Sequence, residues 1–193
     1  MPSPPAPSPS PPWAALLVVC GLLALHNVMR TAPVTLVEEL RLRYAVDYAR
    51  IGNVIGAYTL TYGLAQLAAG LLTDRAGSRR LMLLGLALAA IGATAFAAAR
   101  SYPVALAARL LMGVAGGCLY TPTLAYAFAA FPPGLRGRVM GFAEAGVGAG
   151  QVLAVVAIPL LFGWLGLTGA FLAIPLAAVG LAAAVGLGLR PIA

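Results

Sequence analysis

Charged side chains are rare in the long apolar segments of this chain, and those that occur there could bind a ligand or carry a proton. His26 and Arg30 lie four residues apart, so on a helix they share one face. Such a face suits an anionic ligand or proton coupling. If the first apolar helix instead ends near Arg30, that arginine is an ordinary flanking charge.

Arg109 and Glu144 also fall inside apolar segments. A charge in the bilayer interior costs roughly 2.5–3.5 kcal/mol or more, so it must face protein or water. Arg109 either takes part in function or gating, or it snorkels to the interface. Glu144 is either a proton site and arginine partner or an interfacial acid. Gln151 follows seven residues later and shares its face.

A polar stripe of Tyr58, Tyr62 and Gln66 recurs at intervals of four residues. On a helix this spacing places all three on one face. The stripe is suited either to lining a cavity that binds a small molecule or to hydrogen bonding with a neighbouring helix. Both interpretations remain open from the residues alone.

Several function classes are excluded by the residues that the chain lacks. The histidine, the two cysteines Cys20 and Cys118, and the five acids provide no nucleophile–base pair and no spacing typical of metal ligands. We therefore expect no enzyme, no metal and no cofactor. The net charge of +7 comes from arginines that lie mostly between apolar segments, which indicates membrane topology rather than nucleic-acid binding.

The elements that must position these residues are membrane helices. Hydrophobic residues form 62% of the 193 residues and charged residues only 9%, whereas soluble domains carry about 25% charged residues. We expect a disordered tail rich in Pro and Ser over residues 1–12, a solvated loop or interfacial turn over 38–50, a turn over 163–168, and a cytoplasmic end at 191–193. The membrane domain, 13–190, is predicted to contain six helices, at about residues 13–37, 51–72, 81–99, 104–128, 139–161 and 169–189.

A short charged loop joins the second and third predicted helices. It has the pattern G-x-x-x-D-R-x-G-x-R-R, in which Gly77 suits a tight turn and Asp74 could cap the next helix or pair with an arginine. This pattern resembles the signature loop of the major facilitator superfamily of transporters. The resemblance implies that the loop is cytoplasmic and takes part in gating. The matching residues are Gly70, Asp74, Arg75, Gly77, Arg79 and Arg80.

The resemblance extends to glycines in the fourth and fifth predicted helices. Gly113 and Gly117 follow Arg109 at intervals of four residues, and Gly146 and Gly150 follow Glu144. Small residues at this spacing let helices approach closely. The family lines its central cavity with the first and fourth helices, which implies a cavity role for His26, Arg30 and Arg109.

The resemblance implies an all-α fold equal to the N-terminal six-helix half of such a transporter. The two halves of these transporters rock against each other around a midplane site. We therefore expect secondary active transport of a small solute, with an anion favoured by the arginines, through a homodimer or with a partner chain that supplies the second half. The alternative is a truncated or non-transporting membrane subunit with an assembly or regulatory role.

The arginines also predict an orientation. More of them lie in the short loops that share a side with both chain ends, so we expect both termini in the cytoplasm. The expected location is the plasma or inner membrane, in contact with lipid, and we expect a prokaryotic source. The Ala-, Gly-, Leu- and Arg-rich composition without lysine suggests a GC-rich coding sequence.

Overall fold

The computed structural model describes residues 13–189, and helices form nearly all of this range. The predicted tail, 1–12, and the predicted end, 191–193, lie outside the described residues. A short 3₁₀ turn, Pro133–Leu135, precedes the last helix. The helices are α1 (Trp13–Thr35), α2 (Val37–Tyr44), α3 (Tyr48–Ala76), α4 (Ser78–Ala98), α5 (Tyr102–Ala130) and α6 (Arg136–Gly188).

The last helix, α6, is two membrane spans joined at a bend. Its 53 residues would extend about 80 Å if straight, more than twice the hydrocarbon thickness of about 30 Å. The bend is at Gly166, where φ is 68°, a value that glycine adopts without steric cost. Gly146 before the bend and Leu181 after it both contact the Cys20–Gly21 level of α1, so the second arm runs back beside the first.

Six spans therefore result from five long helices that are apolar enough to cross a membrane. The predicted all-α membrane fold with six spans is confirmed. The turn expected over 163–168 is narrower than predicted, because helical backbone continues on both sides of Gly166.

The region predicted as a loop, 38–50, instead contains a helix, α2, and the start of α3. Glu38 and Glu39 occupy the first turn of α2, and Arg41 and Arg43 occupy its last turn, which is the charge order that the helix dipole favours. Arg41 also forms an ion pair with Glu38 at 2.6 Å. Hydrogen bonds from Arg41 and then Tyr48 lower the pKa of Glu38 to about 2.

The turn between α3 and α4 differs from the expectation for Asp74. Helix α3 continues to Ala76, so Asp74 lies inside its last turn and is exposed. Gly77, with a φ of 83°, stands at the N-cap position of α4, and no side chain caps that helix. Among residues 13–189 the ion pair is Arg41–Glu38, so the arginine pairing considered for Asp74 does not form either.

The helices pack as a bundle in which α1 lies mainly against α6, α3 against α5, and α4 against both α5 and α6. Helix α3 is the least buried of the long helices. Four of its exposed leucines recur at helical spacing and form an apolar face suited to lipid. They are Leu60, Leu64, Leu67 and Leu71.

Candidate functional site

A buried histidine lies where α1, α3 and α5 meet. His26 is 1% exposed, although it carries two polar ring nitrogens. The Tyr58 hydroxyl of α3 lies 3.0 Å from His26 Nδ1 and 3.3 Å from the His26 carbonyl oxygen. Tyr58 is itself fully buried. This contact joins the first two membrane spans through polar groups that lipid could not satisfy.

Two further tyrosines extend this contact toward the surface of the bundle. The His26 ring centroid lies 4.7 Å from that of Tyr62 and 5.4 Å from that of Tyr120 on α5. Both tyrosines are half-buried. Gln66 donates a hydrogen bond of 2.7 Å to the Tyr62 hydroxyl, so the predicted polar stripe on α3 is partly satisfied within its own helix.

Two opposite charges lie near these rings and are exposed. Arg30 is close enough to His26 and Tyr62 to interact with them electrostatically, and Glu144 interacts in the same way with Tyr120. Between residues 13 and 189, neither charged group forms an ion pair or a side-chain hydrogen bond. Both belong to helices that span the membrane, where an unpaired charge is costly.

We name this surface the polar face and define it by residues from four helices. It combines one arginine, one glutamate, one amide and two tyrosines that are at least partly exposed. Its members are Arg30, Tyr62, Tyr120, Glu144 and Gln151.

Arg109 lies inside the bundle rather than on the polar face. Its side chain is 0% exposed, and its guanidinium carbon lies 4.6 Å from the Tyr58 ring centroid. It donates hydrogen bonds to the carbonyl oxygens of Met29 at 2.6 Å and Val54 at 3.3 Å, and a longer one to that of Arg30 at 3.5 Å. One cation of α5 thus connects the main chains of α1 and α3.

The strongest of these bonds has a cause in the sequence of α1. Pro33 lies inside α1 and has no N–H to donate to the carbonyl of Met29, four residues earlier. Arg109 Nη1 supplies the missing donor to that oxygen. The buried arginine therefore satisfies a backbone group that a proline leaves open.

Close helix contacts at glycines hold the polar face together. A methyl group on Gly146 would lie 2.8 Å from the Cα and carbonyl oxygen of Cys20, and one on Gly150 would overlap the Ala24 main chain. On α5, a methyl group on Gly113 or Gly117 would overlap α3 at Thr61 or Ala65. These contacts set the distances at which α1, α3, α5 and α6 meet.

The signature loop makes one specific connection. Arg79 donates a hydrogen bond of 2.5 Å to the Gly186 carbonyl oxygen and a longer one, 3.4 Å, to that of Val185, at the C-terminus of α6. The Val185 carbonyl also accepts from the Leu189 N–H, so the bond to Gly186 is the one by which Arg79 provides a donor to the last carbonyls of the helix. The remaining residues of the loop signature take no part in this connection. They are Gly70, Asp74, Arg75, Gly77 and Arg80.

Two of these functional residues were not singled out from the sequence. Only the packing of α5 against α1 shows that the ring of Tyr120 lies beside that of His26. Arg43 donates hydrogen bonds of 3.1 Å to the Ala97 carbonyl and to the Thr168 hydroxyl, and it thereby attaches α2 to α4 and to the bend of α6. Its position in an expected loop concealed that role.

A family model described as Major Facilitator Superfamily matches residues 14–192. An uncharacterized MFS-type transporter of Mycobacterium tuberculosis is 30% identical over 67% of this chain and 22% of its own length. An Arabidopsis thaliana protein named "Probable anion transporter 4, chloroplastic" is 32% identical over 77% of this chain and 28% of its own length.

Solved structures agree at the level of the fold. A bacterial homolog of the human lysosomal transporter Spinster superposes with a TM-score of 0.84 at 18% identity, over 96% of this chain and 46% of that chain. A proton:xylose symporter superposes with a TM-score of 0.83 at 15% identity, over 92% of this chain and 44% of that chain. The chain spans less than half of these structures and under a third of the curated relatives named above.

Proposed function

The chain belongs to the Major Facilitator Superfamily, and we propose that it carries a small solute across the membrane by alternating access. The resemblance read from the signature loop is thereby confirmed. Relatives in this family are named as transporters, and the chain has the long apolar helices of a membrane protein. We propose that it is a carrier and not an enzyme.

One observation carries this proposal: the polar face places two opposite charges, unpaired within residues 13–189, and two tyrosine rings on the exposed surface of membrane-spanning helices. Arg30 and Glu144 would be costly against lipid. A solute and the facing surface of a second six-helix unit would compensate both charges. In this family, transport sites lie near the midplane between two such units.

We further propose that Arg30 binds an anionic group of the solute. Its guanidinium is free to form two parallel hydrogen bonds with a carboxylate or phosphate. Relatives include proteins named for transport of anions and of riboflavin, and two named for multidrug resistance, so their names alone do not select a solute. The open arginine is the feature that favours an anion.

The second six-helix unit comes from another copy of this chain or from a partner chain. The orientation that we propose places the signature loop and both ends of the helical domain in the cytoplasm. The connection from Arg79 to the end of α6 would then lie on the cytoplasmic side, where closure of the carrier requires contact between the two units. Signature-loop residues exposed on that side are suited to this contact.

The test is uptake into proteoliposomes of radiolabelled phosphate, acetate, benzoate and the neutral sugar xylose. We expect saturable uptake of at least one anion and a decrease of at least about tenfold in Arg30→Gln, which corresponds to about 1.4 kcal/mol of binding free energy. The matched control is Arg100→Gln, since Arg100 is an exposed arginine at the end of α4. Uptake of none of the four solutes would reject the proposed transport in favour of a non-transporting subunit. Equal uptake of an anion by both variants would instead reject the role of Arg30 and leave transport standing.

A further inference from the structure

The chemistry of the polar face points to a narrower class of solute. We propose that the chain binds an aromatic monoanion, a proposal that rests on the transport function above. Its ring would pack in the corner between Tyr62 and Tyr120, and its anionic group would pair with Arg30. We name the two tyrosines and the His26 ring behind them the aromatic corner.

The aromatic corner has the geometry to hold a flat ring. The rings of Tyr62 and Tyr120 are nearly perpendicular, at 89°, with centroids 6.2 Å apart. A third aromatic ring placed against them can stack on one tyrosine and meet the other edge to face, which are the two arrangements that aromatic pairs prefer. An aliphatic ring of the same size gains contact area there but lacks the quadrupole that favours these arrangements.

The corner is rigid because its inner side is already occupied. His26 is buried behind both tyrosines, and Gln66 holds the Tyr62 hydroxyl. Tyr58 stacks beside Tyr62 at 6.1 Å with an interplanar angle of 19°. A solute would therefore meet preformed walls and would lose little affinity to ordering them.

Arg30 provides the anion site at one end of the corner. Its side chain is exposed and lies within electrostatic range of His26 and Tyr62. Arg109 offers no alternative site, because its guanidinium is buried and already donates to carbonyl oxygens. The two arginines of this region thus differ in role: one is satisfied by the fold, and the other has no acidic or carbonyl partner among residues 13–189.

Glu144 gives the solute its direction. Because Gly146 contacts Cys20 and Gly150 contacts Ala24, α6 and α1 run parallel at this point. By that register Glu144 lies at the level of residue 18 of α1, about 12 residues before Arg30. At 1.5 Å per residue this is about 18 Å along the bundle. The Glu144 carboxyl group lies within electrostatic range of Tyr120, and the cationic Arg30 lies toward the other end, so the anionic group of the solute turns toward Arg30.

Three probes of similar size separate charge from aromaticity: benzoate, cyclohexanecarboxylate and benzamide. The full chain is reconstituted in lipid nanodiscs, and each probe competes with radiolabelled benzoate. We expect benzoate to bind about 3- to 10-fold more tightly than cyclohexanecarboxylate, which is the preference expected of an aromatic pair. It should bind at least about tenfold more tightly than benzamide, which has the ring without the charge.

Matched variants assign each preference to its residue. Tyr120→Leu should reduce the preference for benzoate over cyclohexanecarboxylate to about one, whereas Tyr120→Phe should retain it. Arg30→Gln should remove the preference for benzoate over benzamide, and Arg100→Gln should leave it unchanged. A thermal unfolding curve for each variant shows whether the protein is folded before its binding is compared.

Several outcomes would overturn the proposal. The first is equal affinity for benzoate and cyclohexanecarboxylate, and the second is no binding of any probe to the folded protein. The third is an Arg30→Gln variant that no longer associates with a second six-helix unit but still binds benzoate more tightly than benzamide. The last outcome would assign Arg30 to the contact between units. Benzoate binding without uptake in proteoliposomes would reject transport and leave this inference standing, whereas uptake of phosphate or acetate without a preference for benzoate would do the reverse.

Discussion

At the scale of single residues, the two central arginines show how burial separates structure from function. Arg109 is enclosed and bonded to main-chain oxygens from two other helices, while Arg30 is exposed and unpaired between residues 13 and 189. Both fall in apolar segments, so their surroundings in sequence are alike. Only Arg109 donates hydrogen bonds to the main chain of neighbouring helices, and only Arg30 is available to a solute.

We predict that Arg109 and Pro33 are energetically coupled. Arg109→Leu should lower the free energy of unfolding by about 3 kcal/mol, because it leaves the buried Met29 carbonyl without a donor and removes the charged hydrogen bond to the Val54 carbonyl. In a Pro33→Ala background the same change should cost about 1 kcal/mol less, because residue 33 then donates to Met29 within α1. The measurement is a double-mutant cycle of unfolding free energies in mixed micelles.

Arg100→Leu is the matched control for this cycle, with an expected change within about 0.5 kcal/mol, because Arg100 is exposed. Equal costs of Arg109→Leu in both backgrounds would show that the bond to Met29 does not depend on the proline. Arg109 would then stabilise the bundle through its other contacts, which include the hydrogen bond to the Val54 carbonyl.

The sequence predicted part of this residue-scale picture. An arginine deep in an apolar helix needs a partner, and that requirement was clear from its position. A proline four residues after Met29 also signals an open carbonyl. Pro33 lies on α1 and Arg109 on α5, however. Only the packing of those helices shows that the guanidinium donates to the carbonyl that the proline leaves open.

At the scale of elements, the first arm of α6 meets α1 through glycines spaced four residues apart. Gly146 and Gly150 contact the α1 main chain, while Gly148, on the opposite side of the helix, has no atom within 4 Å of the position where a Cβ would stand. One helix therefore presents a close-contact face and an open face within a single turn. This difference permits a controlled experiment.

We predict that Gly146→Ala destabilises the bundle and Gly148→Ala does not. The added methyl group at residue 146 would meet the backbone of Cys20, which cannot move aside as a flexible side chain would. We expect a loss of about 1–3 kcal/mol for Gly146→Ala and a change of less than about 1 kcal/mol, in the stabilising direction, for Gly148→Ala.

The measurement is again the free energy of unfolding, together with the concentration of denaturing detergent at the midpoint of the unfolding transition. Similar values for the two variants would mean that α1 and α6 are not in close contact at Gly146.

Hydropathy predicts the boundaries of the long membrane helices. It does not predict those of the short helix α2, which depend on charged residues. The long apolar runs identify all the membrane spans, because only a helix satisfies its backbone in lipid. The α2 helix is short and charged, and its stability depends on an acid-first, base-last order and on Arg43, whose partners are distant in sequence. A composition-based reading assigns such a segment to a loop.

At the scale of the whole molecule, the polar face is an exposed surface of the six-helix bundle that carries charged and aromatic side chains. Its tyrosines contact buried side chains behind them, whereas its two charges have no ion-pair partner in the part of the chain that the structure describes. Covering the face would bring both charges out of contact with lipid. We propose that a facing surface covers it, and the parallel arrangement of halves in this family allows a second copy to supply that surface.

We predict that the purified chain in mild detergent contains two copies per particle, as measured by native mass spectrometry. Arg30→Gln should leave this stoichiometry unchanged, because we assign Arg30 to the solute. A monomer that nevertheless transports a solute would contradict the need for a facing unit. A monomer without transport would direct the search to a partner chain.

The bond between Arg109 and Met29 also has a consequence for biosynthesis. The ribosome completes α1 long before it makes residue 109, so the Met29 carbonyl enters the membrane without its final donor. A backbone oxygen without a donor costs several kcal/mol in lipid. Water or the insertion machinery must therefore donate a hydrogen bond to it until α5 is inserted. The main chain of the first span therefore gains the Arg109 donor only after the fourth span has been synthesised.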